Sequence, residues 1–159
     1  MNASLTELRR FPASLPWALE EQSIESAEAF CVWSAARYRS REALAFLVLL
    51  RATGAHVGNV GLSDFEWDGP QCEIGFWGRT STGGQGFITE AVIGLTEFGF
   101  RLGVGRVYAL PDAENIRSCL VCERAGFELE ETIRRDHLDP DGTSRYTNVY
   151  GKQANRALP

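Results

Sequence analysis

The chain has 159 residues, 44% of them hydrophobic and 23% charged, which is the balance of a single soluble globular domain spanning residues 1–159. Its net charge of −5 and the lack of a basic stripe argue against a nucleic-acid-binding protein. The longest apolar run, residues 43–50, is too short to cross a membrane, and charged residues stand where a signal peptide would be apolar, so we expect a cytoplasmic protein.

The first half of the chain predicts one helix followed by three strands. Ser23 can cap a helix that runs to about Arg39, with apolar side chains along one side. The almost wholly apolar run of residues 43–51 predicts a strand that is buried on both faces, and residues 57–65 complete a hairpin with it. A turn at residues 67–70 leads to a third strand at residues 72–77.

The second half predicts two helices and three strands. These are a helix at residues 86–102, a strand at 106–110, a helix at 116–125, and two strands at 127–137 and 145–150 joined by a turn at 139–142. Asn115 is a suitable cap for the second helix, and Gly103 and Gly126 end the two helices. We therefore predict one α/β (α+β) domain with a mixed, mostly antiparallel central sheet flanked by helices.

A glycine-rich turn between the third strand and the following helix carries the strongest functional signal. It reads Trp-Gly-Arg-Thr-Ser-Thr-Gly-Gly-Gln-Gly-Phe-Ile-Thr-Glu from Trp77 to Glu90. Its glycines allow a tight turn that exposes backbone N–H groups, and the helix start adds unpaired donors and a positive dipole end. These groups suit a phosphate or diphosphate, which makes an enzyme with a nucleotide-like cofactor the first hypothesis.

Two familiar phosphate-binding motifs do not fit this turn. A P-loop needs a lysine and a hydroxyl residue after its glycine, and this chain has neither there. A dinucleotide fingerprint needs a third glycine, but the chain has Thr89 at that position.

No metal site is predicted. The four cysteines are scattered, which is typical of a protein in a reducing compartment. Cys119 and Cys122 form a CxxC pair inside a helical pattern, and no second pair or nearby histidine completes a zinc site.

Four strings in the right order and spacing resemble the GNAT acetyltransferases, specifically the RimJ/RimL type that modifies protein N-termini. They are residues 73–77, 84–91, 115–118 and 125–127, and the likeness extends upstream to Pro16-Trp17. The resemblance implies acetyl-CoA as co-substrate and a primary amine, on a protein N-terminus or a small molecule, as the acceptor that attacks the thioester directly. It also implies a possible homodimer.

The resemblance places the cofactor contacts on the glycine-rich turn and the later helix. The implied residues are Trp77, Gly78, Arg79, Gly83, Gly84, Gln85, Gly86, Phe87, Ile88, Asn115 and Ser118. The family's usual first Gln or Arg is replaced by Gly83, and its small last residue by Ile88, so the diphosphate would depend on backbone N–H groups and Arg79. As alternatives, Arg79 is a solvated loop residue and Asn115 is only a helix cap.

Glu73 is the candidate general base. Strand alternation places Cys72 and Ile74 on a core face and Glu73 and Gly75 on the other, beside the glycine-rich turn. The alternative is a carboxylate that faces solvent or pairs with an arginine. When the amine attacks, the thioester oxygen becomes an oxyanion, which backbone N–H groups near Trp77 and Gly78 could stabilise.

The general acid is less well defined. Many GNAT enzymes use a tyrosine where this chain has Cys122, which we expect to be a buried, small apolar residue. Ser118 is the alternative acid, unless its hydroxyl only binds its own helix backbone.

Three questions stay open at this stage. Trp17 and Trp67 could form a wall of the acceptor pocket, whereas Trp33 is more easily explained by core packing. The usual first strand of the family is not evident, which suggests either a truncated chain or another cover for that sheet edge. The departures at Gly83 and Ile88 and the missing first strand also leave open a second function, that of a catalytically weak acyl-CoA-binding module.

Overall fold

The computed structural model describes residues 23–138 and 144–155. It begins with helix α1, Ile24–Ser40. A capping box closes its start: the Ser23 hydroxyl accepts the Ser26 N–H at 3.1 Å, and the Ser26 hydroxyl accepts the Ser23 N–H at 2.9 Å. The predicted Ser23 cap is confirmed.

Six strands form one sheet in the order β1-β2-β3-β4-β6-β5. The strands are β1 Leu44–Leu49, β2 His56–Glu66, β3 Gln71–Gly78, β4 Arg106–Ala109, β5 Glu128–Leu138 and β6 Ser144–Gln153. Helix α2 is Phe87–Arg101, helix α3 is Ile116–Arg124, and a short 3₁₀ turn covers Thr80–Thr82. Only the β3–β4 pair is parallel among these strands, so the predicted mixed, mostly antiparallel sheet is confirmed.

Helix α2 packs across one face of the sheet and forms the core with β2 and β3. Val92 and Leu95 of α2 are buried in one cluster with Leu62 of β2 and Ile74 of β3. Gly99 allows the close approach, because a Cβ at that position would lie 3.2 Å from Leu62 Cδ1. The helix predicted at residues 86–102 therefore packs its apolar side chains against the core.

The prediction that the first strand is buried on both faces is wrong. Leu44 is buried, but Leu47 is 63% and Leu49 53% exposed. The strand is at the edge of the sheet and pairs only with β2 among the described strands. A continuous apolar run indicates a strand, but it does not tell how many of its faces are covered.

The prediction that Trp33 packs in the core is also wrong. Trp33 is 52% exposed on α1 and contacts Phe30 and the guanidinium of Arg37 rather than the sheet core. None of the residues of α1 is buried.

Some expectations lie outside the described residues. These are the contributions of Pro16 and Trp17, the missing first strand, and the turn at 139–142. Within the described part of the chain, no helix combines the length and the apolar character needed to cross a membrane.

Candidate active site

The sheet opens between β3 and β4. The two strands pair at only three positions, the last of which joins Glu73 to Tyr108. Beyond that point β3 continues to Gly78, whereas β4 ends at Ala109. A cleft of about 570 Å³ occupies the gap, between the free edge of β3, the glycine-rich turn and the segment from β4 into α3.

The direction of the β3 amides follows from its pairing with β2. The register between the two strands is regular from Gly58–Gly78 to Ser63–Glu73, and the Arg79 N–H donates to the Val57 carbonyl at 2.8 Å. Because successive amides alternate in direction, the N–H groups of Phe76 and Gly78 point toward the cleft. The N–H of Trp77 points toward β2, so Gly78 is the better placed of the two residues considered for oxyanion binding.

The glycine-rich turn exposes the start of α2 to the cleft. Gly84 and Gly86 have φ values of 78° and 84°, a region in which only glycine is unstrained. Gly86 is the N-cap of α2, and no side chain accepts a hydrogen bond from the first turn of that helix. Since the first N–H groups of a helix have no intrahelical acceptor, this end of the cleft can bind an anion.

The large Ile88 side chain is accommodated by the sheet. A Cβ added at Gly78 would lie 2.7 Å from Ile88 Cγ1, and one at Gly58 would lie 2.7 Å from Ile88 Cδ1. These two glycines face each other in the β2–β3 register. The Ile88 side chain therefore packs over a pair of glycines, and the backbone N–H groups of the turn stay accessible to a ligand.

Glu73 lies at the point where β3 and β4 separate. Its neighbours Cys72 and Ile74 are buried on the core face, and Glu73 is half-buried on the opposite face, as alternation predicts. Burial raises the pKa of its carboxyl group, and the nearby charge of Asp64 raises it further. A carboxylate with a raised pKa in a cleft is suited to accept a proton near neutral pH.

Helix α3 brings Asn115 and Ser118 to the cleft. The Asn115 side chain accepts the Ser118 N–H at 3.2 Å, so its role as a helix cap is confirmed. Ser118 is half-buried and lines the cleft with Glu73. Cys122 is 1% exposed and its pKa is raised to about 12 by burial, so it is a buried thiol, as expected.

The sequence reasoning missed Asp112. This buried residue accepts the Glu114 N–H at 2.9 Å and forms an ion pair with Arg145 at 2.9 Å. Its backbone carbonyl also accepts the Cys119 thiol at 3.7 Å. Asp112 thus fixes the turn that leads from β4 into α3. The Pro-Asp pair before the Asn115 cap is a turn signal in the sequence, but the ion-pair partner of Asp112, Arg145, is distant in the sequence.

The other aromatic and cationic candidates are divided between the cleft and the surface. Arg79 lines the cleft, and its Nη1 donates to the His56 carbonyl at 3.3 Å. Trp77 also lines it and packs edge-to-face with the His56 ring at 5.6 Å. Trp67 stacks on Phe65 at 5.2 Å and is not among the residues that line the cleft.

Eleven of the twelve predicted site residues line this one cleft, and Gln85 does not. Further lining residues that sequence reasoning did not select include Val57, Leu110, Arg117, Leu120 and Arg124. Within residues 23–138 and 144–155, no three His, Cys, Asp or Glu side chains group in a way that could hold a metal ion.

A family profile described as "Acetyltransferase (GNAT) domain" matches residues 2–128 of this chain. Among curated proteins, the chain is similar to the uncharacterised N-acetyltransferase YoaA of Bacillus subtilis (strain 168). The two are 27% identical over 130 residues, which cover 81% of this chain and 73% of that protein.

Two solved structures share the fold. Mycobacterium smegmatis RimJ in complex with CoA-disulfide has a TM-score of 0.85 and 22% identity, over 99% of this chain and 77% of that one. RimL, a ribosomal L7/L12 alpha-N-protein acetyltransferase in complex with coenzyme A, has a TM-score of 0.85 and 20% identity, over 95% of this chain and 85% of that one.

Proposed function

The chain belongs to the GNAT family of acetyltransferases and is an acyltransferase, and we propose that it transfers the acetyl group of acetyl-CoA to a primary amine by direct attack on the thioester. One observation carries this proposal. The start of α2, where no side chain caps the helix, and the free edge of β3 line the same cleft, which also contains Glu73.

The two ends of the cleft match the two chemical parts of acetyl-CoA. The N–H groups at the start of α2 and the turn before it offer donors to the diphosphate. The outward N–H groups of Phe76 and Gly78 offer strand-like hydrogen bonds to the amides of the pantetheine arm. With its diphosphate at α2 and its arm along β3, the cofactor directs the thioester toward Glu73.

The proposed reaction uses Glu73 as general base. The cationic amine first gives one proton to the Glu73 carboxylate. The neutral nitrogen then attacks the thioester carbon and loses its second proton to solvent as the amide forms. The oxyanion that forms accepts hydrogen bonds from the outward N–H groups of Phe76 and Gly78 on the β3 edge. The carbon–sulfur bond then breaks, and the thiolate takes a proton from Ser118 or from solvent, which yields the acetylated amine and free CoA.

The amine acceptor approaches from the face of the sheet opposite α2. Glu73 and Gly75 are on that face, and a Cβ added at Gly75 would meet nothing within 4 Å. The carboxylates of Glu73 and Asp64 favour a cationic amine there. RimL is named for acetylation of a ribosomal protein N-terminus, so a protein α-amine is one acceptor to test beside small amines.

A thiol-release assay with acetyl-CoA and a panel of peptides and small amines tests this function. We expect turnover with at least one amine. The Glu73→Gln variant should lose about a hundredfold or more in kcat while it retains CoA binding. If the wild-type chain binds CoA and transfers no acetyl group to any amine, it is an acyl-CoA-binding module and not an acetyltransferase.

A further inference from the structure

Tyr108 is a half-buried tyrosine beside Glu73, on the face of the sheet opposite α2. Its neighbours on β4, Val107 and Ala109, are 0% and 1% exposed on the core face, so alternation turns Tyr108 to the other face. Tyr108 and Glu73 are partners in the parallel β3–β4 register, at the last pair before the two strands separate. Because the backbones of neighbouring strands lie about 4.8 Å apart, the phenol ring stands next to the proposed general base.

The hydroxyl group of Tyr108 is available to a ligand. Within residues 23–138 and 144–155, no group forms a hydrogen bond with it, whereas the hydroxyl of the buried Tyr150 donates to Glu123 at 3.0 Å. Tyr108 is also not among the residues that line the cofactor cleft, so its hydroxyl is not engaged by that wall of the site. A solvated tyrosine is the simple alternative, but its position beside Glu73 would then have no consequence for the reaction.

The Tyr108 ring is held in place from one side. The guanidinium of Arg106 lies over the ring, 5.0 Å from its centroid. Arg106 is itself fixed, since its Nη1 donates to the Gln71 side chain at 2.7 Å and its guanidinium forms an ion pair with Glu130. The ring is therefore ordered before an acceptor arrives, and binding does not have to immobilise it.

The electrostatic surroundings determine what the hydroxyl can do. Burial raises its pKa, and the charges of Glu73 and Asp64 raise it further. The phenol is therefore neutral at neutral pH and does not compete with Glu73 for the proton of the amine. A neutral phenolic oxygen can instead accept a hydrogen bond from an N–H group.

We propose that Tyr108 is an acceptor-binding residue, whose hydroxyl oxygen accepts an N–H hydrogen bond from the amine nitrogen that Glu73 deprotonates. The inference rests on the proposed function and adds a residue to the acceptor side of the same site. After one proton has passed to Glu73, a primary amine keeps two N–H groups and a lone pair. An N–H held by Tyr108 restricts the orientations of the nitrogen, so the lone pair meets the thioester carbon more often.

Thiol-release kinetics with the variant Tyr108→Phe test this assignment. The substitution removes the oxygen and keeps the ring beneath Arg106. The matched control is Tyr38→Phe, because Tyr38 is an exposed tyrosine of α1 whose ring packs edge-to-face with Phe46 at 6.3 Å. The acceptor is the peptide or small amine of the panel that the wild type acetylates fastest. Calorimetry with CoA and thermal melting curves are recorded for each protein.

We expect Tyr108→Phe to lower kcat/KM for the amine about tenfold or more, the effect of one lost hydrogen bond to a charged partner. The KM for acetyl-CoA, the affinity for CoA and the melting temperature should stay at the wild-type values. A residue with a merely structural role would not separate amine kinetics from cofactor binding in this way. Tyr38→Phe should match the wild type in every measurement.

The inference is overturned if Tyr108→Phe retains the wild-type kcat/KM for the amine, or if it weakens CoA binding as much as amine turnover. Either result leaves acetyl transfer by the wild type, and therefore the proposed function, intact. If the wild type transfers acetyl groups to no amine of the panel, the proposed function is contradicted and this inference with it.

Discussion

The contact between Ile88 and Gly78 yields a prediction that depends on the geometry of the turn. A Cβ added by Gly78→Ala would lie 2.7 Å from Ile88 Cγ1 and 3.3 Å from its Cδ1. Overpacking of this kind costs about 1–3 kcal/mol. We expect Gly78→Ala to lower the free energy of unfolding by about 2 kcal/mol and to weaken CoA binding, because it displaces the first turn of α2.

A double-mutant cycle isolates this contact. Ile88→Ala alone removes partly buried apolar surface and should cost about 2 kcal/mol. It also removes the atoms that meet the new Cβ, so the double variant should be more stable than the sum of the single effects by about 1 kcal/mol or more. Urea unfolding measures the three variants, and CoA titration should show partial recovery of affinity in the double variant.

Gly75→Ala is the matched control on the same strand. A Cβ at Gly75 meets nothing within 4 Å, so this variant should change the free energy of unfolding by less than about 0.5 kcal/mol. Strictly additive effects of Gly78→Ala and Ile88→Ala would show that the isoleucine does not pack over the glycine pair, and the account of the turn would be wrong.

Three further predictions concern the site and its support. Burial and Asp64 raise the pKa of Glu73, so the folded state binds its proton more readily than the unfolded chain and loses stability as pH rises through that pKa. Glu73→Gln should therefore be at least as stable as the wild type in urea unfolding at neutral pH. Its kcat/KM should also lack the rise with pH that the raised carboxyl pKa gives the wild type. If the variant and the wild type have the same pH profile, Glu73 is not the general base. Gly75→Val adds bulk on the open face and should raise the KM for the amine tenfold or so with little change in CoA affinity, about 1.4 kcal/mol of lost acceptor binding; unchanged amine kinetics would place the acceptor elsewhere. Asp112→Ala leaves Arg145 without its buried partner, 2.9 Å away, and should cost about 3 kcal/mol in urea unfolding, whereas a cost below about 1 kcal/mol would show that the ion pair does not fix the turn into α3.

Local signals predicted most of the fold. The Ser23 and Asn115 caps and the amphipathic pattern of α2 depend on neighbouring residues, so they could be read directly from the sequence. The resemblance to the GNAT acetyltransferases is confirmed by the family match, and the RimJ and RimL structures share the fold of this chain. The alternation of β3 correctly separated the buried Cys72 and Ile74 from Glu73.

Features that depend on distant contacts could not be predicted. The exposure of β1 follows from its place at the sheet edge, which its apolar run does not encode. The room for Ile88 comes from Gly58 and Gly78, which meet only through the β2–β3 register. The Asp112–Arg145 pair joins residues 33 positions apart, and Arg124 is recognisable as a cleft residue only once α3 is placed beside the glycine-rich turn.

A crystal structure of the chain with bound coenzyme A tests the central claim most directly. The account predicts diphosphate density against the backbone N–H groups of residues 83–88, with the thiol near Glu73 between β3 and β4. Coenzyme A bound on any other surface, or no binding at millimolar ligand, would contradict it.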